Sequence, residues 1–273
     1  MTVSFSDLKM TYLGWSGFRF SCSDGPQIFV DPPDTTGIDN EREAWFLLSH
    51  GHSEHVAGTA NYLTDLSRVA PVTVLASPTI CRYLERRHGR KGDRFISSLP
   101  GDVKTLPGLR IDVFSWQHMP LLPSGFKSRI RYLFRLVQRL DFTLKVLRSG
   151  LKLIKVGPML GFRLIPKSGP RLLLYSEGLH KYADRMEIKE TGQLLSAELI
   201  LFAVRPEDVQ VIPDLLSTLG SSVAVPYEAH KYWRRGFGLP VVDHTDVVIQ
   251  LKHCGFNALE VVDGETVILS KVC

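Results

Sequence analysis

The segment "FLLSHGHSEHVAG", residues 46–58, constrains the chain most, because it sets three histidines and a glutamate in six consecutive positions after an apolar run. The run predicts a buried strand, and the helical spacing that follows predicts a helix. The cluster therefore lies on a strand-to-helix loop. On such a loop His50 and His52 can point to one side, while Glu54 and His55 turn into the helix start and face back towards the same cavity.

Imidazoles and a carboxylate together suit Zn, Fe or Mn, so the cluster predicts part of a metal site. The remaining ligands must come from elsewhere in the chain, and suitable groups follow other apolar strands. His118 ends "IDVFSWQH", Glu177 ends "RLLLYSEG", and Glu228 or His230 follows "SSVAVP". Asp31, at the end of "PQIFVD", is a predicted hydrogen-bond partner of a histidine ligand.

Short strands alternate irregularly with four or five helices along the chain, with strand runs at both ends. This order favours an α/β fold with two sheets in one domain, residues 1–273, over a single doubly wound sheet. One helix is delimited by its own signals in "SPTICRYLERRHG", with Ser77 as N-cap, Pro78 as first residue and Gly89 as terminator.

Composition narrows the class of protein further. The chain is 44% hydrophobic and 22% charged, which is typical of a globular protein and argues against disorder. It has no run of 18 apolar residues, and its start carries no secretory signal pattern. The four cysteines are scattered and form no CxxC pair, so we expect packing roles in a reducing, cytoplasmic setting.

The basic character is concentrated in an insert at about 121–160, which holds nine Lys or Arg against one acid. Its leucines recur every three or four residues, which predicts one or two basic amphipathic helices. Three interpretations stay open: an ordinary surface helix pair, a peripheral contact with an anionic membrane, or a lid that brings positive charge to the substrate. Leucine-rich helices suit a lipid-like anion better than stacked bases, so we do not expect a nucleic-acid partner.

The motifs "SHGHSEHVAG", "WQHMP", "YSEG" and "VPYEAH" occur in the order typical of the metallo-β-lactamase superfamily, which the chain resembles over nearly its whole length. The openings "TYLGWSGFRF" and "IFVDPP" resemble the branch with ascorbate-phosphate lactonases and N-acyl-phosphatidylethanolamine phospholipase D. The resemblance implies an αββα four-layer sandwich, in which two mixed sheets are flanked by helices.

The resemblance also implies a site for two divalent metal ions, with Zn first and Fe or Mn as alternatives. It assigns His50, His52 and His118 to one metal and Glu54 and His55 to the other, with Glu177 as the bridge. The last ligand is Glu228 or His230. The implied activity is hydrolysis of a phosphoester, ester or lactone by metal-bound hydroxide. Our candidate catalytic groups are Glu54 and also His180, which lies just after Glu177 and could donate to a substrate oxygen.

Two positions depart from the superfamily pattern, because Glu54 and Glu177 stand where aspartates are usual. With Glu228 as the last ligand, the second site would carry three carboxylates and favour iron or manganese. A dinuclear iron enzyme that uses oxygen is therefore an alternative, and a non-catalytic metal-binding protein is a third. We expect a small-molecule or lipid-like anionic substrate, and the sequence leaves the oligomeric state open.

Overall fold

The computed structural model describes residues 8–22, 25–118, 134, 137–139, 141, 143–144, 156–220, 223–228 and 231–269, with only the backbone of Tyr232 and Trp233. Most of the basic insert and His230 therefore lie outside the described residues. The proposed lid or membrane contact within 121–160 stays a prediction, as does the single-domain boundary of 1–273.

Fourteen strands and six helices are present in the described ranges. The strands are β1 (Lys9–Tyr12), β2 (Phe18–Ser21), β3 (Gln27–Val30), β4 (Ala44–Leu47), β5 (Val72–Ala76), β6 (Arg94–Ser97), β7 (Val103–Leu106), β8 (Leu109–Ser115), β9 (Leu160–Pro166), β10 (Leu172–Ser176), β11 (Leu199–Val204), β12 (Val223–Glu228), β13 (Asn257–Ala258) and β14 (Thr266–Ile268). The helices are α1 (Ser53–Thr64), α2 (Pro78–His88), α3 (Arg185–Leu194), α4 (Ile212–Leu219), α5 (Lys231–Gly236) and α6 (His244–His253).

The strands form two seven-stranded mixed sheets. The first has the order β14-β1-β2-β3-β4-β5-β6, and the second has the order β13-β12-β11-β10-β9-β8-β7. In the first sheet β3 to β6 run parallel, and in the second sheet β10 to β13 run parallel. The carboxyl ends of parallel strands meet at one edge of a sheet. Predicted ligands follow β4 and β10 at this edge, and Asp31, the predicted partner of a histidine ligand, follows β3.

Alternation along each strand divides its side chains between two apolar layers. In β4, Trp45 and Leu47 pack in the central layer between the sheets, whereas Phe46 packs outside with α1 and α2. In the second sheet, Leu201 of β11 faces the central layer and Phe202 packs outside with α3, α4 and α6. Because both faces of the central parallel strands are buried, strands such as β4 and β11 are continuously apolar. The architecture has four layers, αββα, as predicted.

The predicted limits of α2 are confirmed. Ser77 is the N-cap and its hydroxyl accepts a hydrogen bond from the backbone N–H of Ile80, Pro78 opens the helix, and Gly89 is the C-cap. Within the described residues, we find no helix that combines the length and the apolar character needed to cross a membrane.

Helix α1 lies directly on the loop after β3, and Gly58 makes that contact possible. A Cβ on Gly58 would overlap the backbone oxygen of Pro32 and lie 2.8 Å from the backbone nitrogen of Asp34. Both neighbours are backbone atoms that cannot rotate away. The glycine therefore fixes how closely α1, which carries His55, approaches the loop that carries Asp31.

We predict that Gly58→Ala destabilises the protein, although the same change inside an ordinary helix stabilises it by up to about 1 kcal/mol. The expected loss is about 1–3 kcal/mol, typical of forced overpacking. Chemical denaturation compared with wild type measures the change, and Ala60→Gly in the same helix serves as a control for helix propensity. A more stable Gly58→Ala variant would contradict the close contact.

Candidate metal centre

The histidine loop is buried at the junction of β4 and α1. His50 and His55 are 0% and 1% exposed. His52 occupies the N-cap position of α1 but makes no capping hydrogen bond with its side chain, and its Nδ1 instead lies 3.0 Å from Nε2 of His50. The N-cap usually holds a short side chain that binds the helix N–H groups, so this histidine serves the site and not the helix end.

The carboxylate of Asp31 organises two of the histidines. It accepts hydrogen bonds from the backbone N–H of Ser49 at 2.8 Å, from the Ser49 hydroxyl, and from Nδ1 of His55 at 2.9 Å. Since the Ser49 hydroxyl donates to Asp31, it accepts from Nδ1 of His50, which lies 2.9 Å away. Both imidazoles are thus held with Nδ1 protonated and with the Nε2 lone pair available to a ligand. The predicted partnership of Asp31 with a histidine is confirmed.

Two groups of ligand-type atoms meet at this loop. Nitrogen atoms of His50, His52 and His118 lie within 4.8 Å of one another, and so do ligand atoms of His50, His55 and Glu177. A tetrahedral zinc ion with Zn–N bonds of about 2.0–2.1 Å would separate two nitrogen ligands by about 3.3 Å. The spacing of both groups therefore suits a shared cation.

Glu177 lies between the two groups. Its Oε1 is 3.6 Å from Nε2 of His55, and its Oε2 is 3.6 Å from Nε2 of His118. The side chain is 1% exposed. A carboxylate that turns one oxygen to each group has the geometry of a bridging ligand.

The surroundings shift the two buried imidazoles in opposite directions. Burial, reinforced by the charge of His55, holds the pKa of His50 well below its ordinary value. Burial also lowers the pKa of His55, but the carboxylates of Asp31 and Glu177 outweigh it and raise that pKa well above its ordinary value. The buried carboxylates of Asp31 and Glu177 therefore favour a positive charge at His55 or beside it.

The donor set fits a divalent metal. Nε2 of His55 is buried and forms no hydrogen bond within the described residues, yet it faces a carboxylate oxygen of Glu177. A nitrogen lone pair aimed at a buried carboxylate is unfavourable unless a proton or a cation lies between them. The nitrogen and oxygen donors are those that Zn, Fe and Mn accept.

The backbone is strained on both sides of the cluster. Asp31 and Ser176 have φ angles of +43° and +50°, in the left-handed region that non-glycine residues seldom adopt. Ser176 also follows a register shift in the pairing of β10 with β11. Such strain costs about 1–3 kcal/mol for each residue, and it is found where a site requires a particular side-chain direction.

Trp116 is a site residue that the sequence analysis did not find. Its ring is 5.4 Å from the ring of His50 and 5.8 Å from the ring of His118, measured between centroids. Trp116 is 3% exposed. Because it is buried against both imidazoles, it limits how far they can rotate. The only sequence signal was its position two residues before His118. Ser49 was missed as well, because a serine after an apolar strand carries no specific signal.

The remaining predicted site residues lie farther from the cluster. Oε1 of Glu54 is 4.0 Å from Nδ1 of His52, so Glu54 stands beside the first group and belongs to neither close set. Glu228 groups with Asp243 and His244, and its Oε2 is 2.6 Å from Nζ of Lys231. The structure therefore does not bring Glu228 to the histidine cluster, because alternation in β12 turns Tyr227 into the central layer and Glu228 to the opposite face.

The catalytic role of His180 stays a prediction, and the structure shows what the ring contacts. Its Nδ1 accepts a hydrogen bond from the backbone N–H of Tyr182 at 3.2 Å, and its Nε2 donates to the carbonyl oxygen of Gln117 at 2.8 Å. Both ring nitrogens are used by the main chain, and the side chain is buried. His180 thus holds the strand end that carries His118.

The chain has the metallo-β-lactamase fold. It aligns over 96% of its length with 99% of the metallo-β-lactamase fold protein YhfI from Bacillus subtilis, with a TM-score of 0.63 and 11% identity. It also aligns over 97% of its length with 54% of CmlA, a diiron β-hydroxylase from Streptomyces venezuelae, with a TM-score of 0.60 and 10% identity. These likenesses confirm the predicted fold class, and the lactonase and phospholipase branch stays a prediction.

In sequence, the chain is similar to a UPF0173 metal-dependent hydrolase of Xanthobacter autotrophicus. The two are 34% identical over 88 residues, which cover 28% of this chain and 35% of that protein. The matched region thus spans about a third of that relative. The chain matches no protein-family model.

We predict that Asp31→Asn lowers metal affinity about 10- to 100-fold, as is usual when the partner of a histidine ligand is changed. The asparagine amide fills the same space but is neutral. It therefore cannot supply the negative charge to which Ser49 and His55 donate three hydrogen bonds. Titration with Zn²⁺ against a chromophoric chelator measures the affinity. The matched control is Asp93→Asn, which changes an equally buried carboxylate paired with Arg68. Equal affinities in the two variants would contradict the role of Asp31.

Proposed function

We propose that the protein is a metal-dependent hydrolase with two metal ions. The observation that carries the proposal is Glu177, whose two carboxylate oxygens face His55 and His118 at equal distance. In this proposal His50, His52 and His118 hold one ion, and His55 holds the other with Glu177 as the bridge. The similarity to a protein named a metal-dependent hydrolase supports the same class of reaction.

A bound metal pair would supply a hydroxide near neutral pH and polarise the substrate oxygen. The chain's own residues prepare the site for this chemistry. Asp31, acting directly on His55 and through Ser49 on His50, fixes which nitrogen of each ring faces the cavity. Trp116 packs edge-on against the ring of His50 and stacks on the ring of His118, which restricts both rings.

Glu54 is the carboxylate we propose for proton transfer. Its side chain is 14% exposed and lies beside His52, so it borders both the site and the solvent. A group in that position can accept a proton from an attacking nucleophile and pass it outwards. This role replaces the metal-ligand role that the superfamily resemblance implied for Glu54.

The proposed reaction is cleavage of a phosphoester, ester or lactone. An anionic or lipid-like substrate remains a prediction from the basic insert. Two described residues at the ends of the insert support this prediction. His118 lies just before the start of the insert, and Val156, near its far end, is hydrogen-bonded to the histidine loop. There the backbone N–H of Gly51 donates to the carbonyl oxygen of Val156 at 2.9 Å.

A dinuclear iron enzyme that uses oxygen is the alternative function, and the fold is shared with a diiron β-hydroxylase. The preference for iron rested on three carboxylate ligands, Glu54, Glu177 and Glu228. Since Glu228 is paired with Lys231 and Glu54 is in neither close ligand set, one carboxylate remains, which favours zinc over iron.

We predict about two metal ions per chain in protein purified without added metal or chelator, as in two-metal hydrolases. Glu177→Gln removes the bridging charge and should lower the content, because only one neutral carbonyl oxygen remains. Plasma mass spectrometry measures the content and identifies the metal. Glu228→Gln is the matched control and should keep the wild-type metal content.

Activity is tested with bis-(p-nitrophenyl) phosphate, p-nitrophenyl acetate and a γ-lactone, before and after removal of metal by dipicolinate. Hydrolysis that is lost with the metal and returns with Zn²⁺ is the expected result. A content of two iron ions per chain, together with a visible or near-UV absorption band, would favour the dinuclear iron enzyme over the hydrolase. A folded protein that binds no metal even on reconstitution would contradict both enzyme proposals. A non-catalytic binding protein would then be the remaining interpretation.

A further inference from the structure

A small cavity lies between the two sheets, in the central apolar layer. Its apolar wall comes from both sheets, with Phe18 and Val30 from the first and Leu174 and Leu201 from the second. Every residue that lines it is at most 8% exposed. The space open to the centre of a water molecule is about 10 Å³. That is close to the minimum that one buried water needs, so the cavity suits a ligand of that size.

The cavity adjoins the network that orients two of the histidines, because Asp31 and Ser49 both line it. An ionised carboxylate can accept about four hydrogen bonds. Among the described residues, Ser49 and His55 supply three of these to Asp31, one at Oδ1 and two at Oδ2. One acceptor position at Oδ1 therefore remains for a donor in the cavity.

Ser176 brings a polar group to the wall that needs a partner. The residue is 6% exposed, and its buried hydroxyl forms no hydrogen bond with another described residue. Its φ angle of +50° and the register shift at the end of β10 fix the backbone at this position. A buried hydroxyl without a partner costs folding free energy, so such groups are normally paired with protein atoms or with ordered water.

The other hydroxyl groups of the wall are those of Tyr227 and Ser16, which are hydrogen-bonded to each other. Burial raises the pKa of Tyr227 well above its ordinary value, and the charges of Asp31 and Glu177 add to this effect. Tyr227 therefore keeps its proton and adds no negative charge. An anion would be repelled by Asp31, whereas a water molecule can donate to the carboxylate and accept from a hydroxyl.

We propose that this cavity binds one water molecule, which donates a hydrogen bond to Oδ1 of Asp31 and accepts one from the hydroxyl of Ser176. Its second hydrogen reaches the pair formed by Tyr227 and Ser16, which gives the three partners typical of a buried water. The water is a positioning group, because it holds the carboxylate that orients the histidines. Its effect on a metal ion rests on the proposed function, but the binding of the water does not.

A crystal structure of the full-length protein without metal, at a resolution that shows ordered water, tests the binding site. We expect one water peak about 2.5–3.0 Å from both Oγ of Ser176 and Oδ1 of Asp31. A cavity without such a peak, or a Ser176 hydroxyl bonded directly to another protein atom, would overturn the proposal.

Ser176→Ala tests the hydrogen bond, because it removes the hydroxyl and keeps the backbone and Cβ. If the hydroxyl is bonded to the water, the unfolding equilibrium constant should rise about three- to tenfold, as for the loss of one hydrogen bond. Chemical denaturation measures the change. An unchanged or more stable variant would show that the hydroxyl has no partner, and would overturn the proposal.

Ser98→Ala is the matched control. Ser98 is 1% exposed, and its hydroxyl also forms no hydrogen bond within the described residues, but it does not line the cavity. This variant should therefore not be destabilised, because its hydroxyl lacks the bound water.

Zn²⁺ affinity tests the positioning role. Ser176→Ala should lower the affinity by less than the 10- to 100-fold change of about that size expected for Asp31→Asn, since the water acts on the histidines only through Asp31. Ser98→Ala should leave it unchanged. A Ser176→Ala variant that loses the water peak but keeps wild-type affinity would overturn the positioning role. A protein that holds the water but binds no metal would keep the water site and contradict the proposed function.

Discussion

The site depends on one buried carboxylate. Asp31 is 2% exposed, and a charge in that position is tolerated only because Ser49 and His55 direct three hydrogen bonds to it. Those bonds set the tautomers of His50 and His55 and leave both Nε2 atoms facing the cavity. The strained backbone at Asp31 and the tight contact of α1 at Gly58 both serve to keep this carboxylate where the two histidines meet it.

The fold and much of the site could be predicted because they follow from local patterns. Buried strands that end in ligand-type residues bring His50, His118 and Glu177 to one edge, and this edge is where the structure has them. Asp31 was predicted for the same reason. The limits of α2 followed from Ser77, whose hydroxyl caps a helix in any tertiary context.

The remaining parts depend on packing that no local pattern determines. Glu228 follows an apolar strand as the other ligands do, but β12 is buried on both faces, so the pattern does not say which face Glu228 takes. His180 was predicted as a catalytic group, but its hydrogen bonds to Gln117 and Tyr182 depend on tertiary structure and have no local signal. The bond from Ser49 to Asp31 joins residues 18 positions apart and leaves no local trace.

The most direct test of the account is anomalous X-ray scattering from crystals of the metal-loaded protein. The account predicts two metal peaks about 3.5–4 Å apart, as in other two-metal sites. One peak should lie among His50, His52 and His118 and the other at Nε2 of His55, with Glu177 reaching both. A metal bound at Nδ1 of His55, or one held by Glu228, would contradict the role given to Asp31.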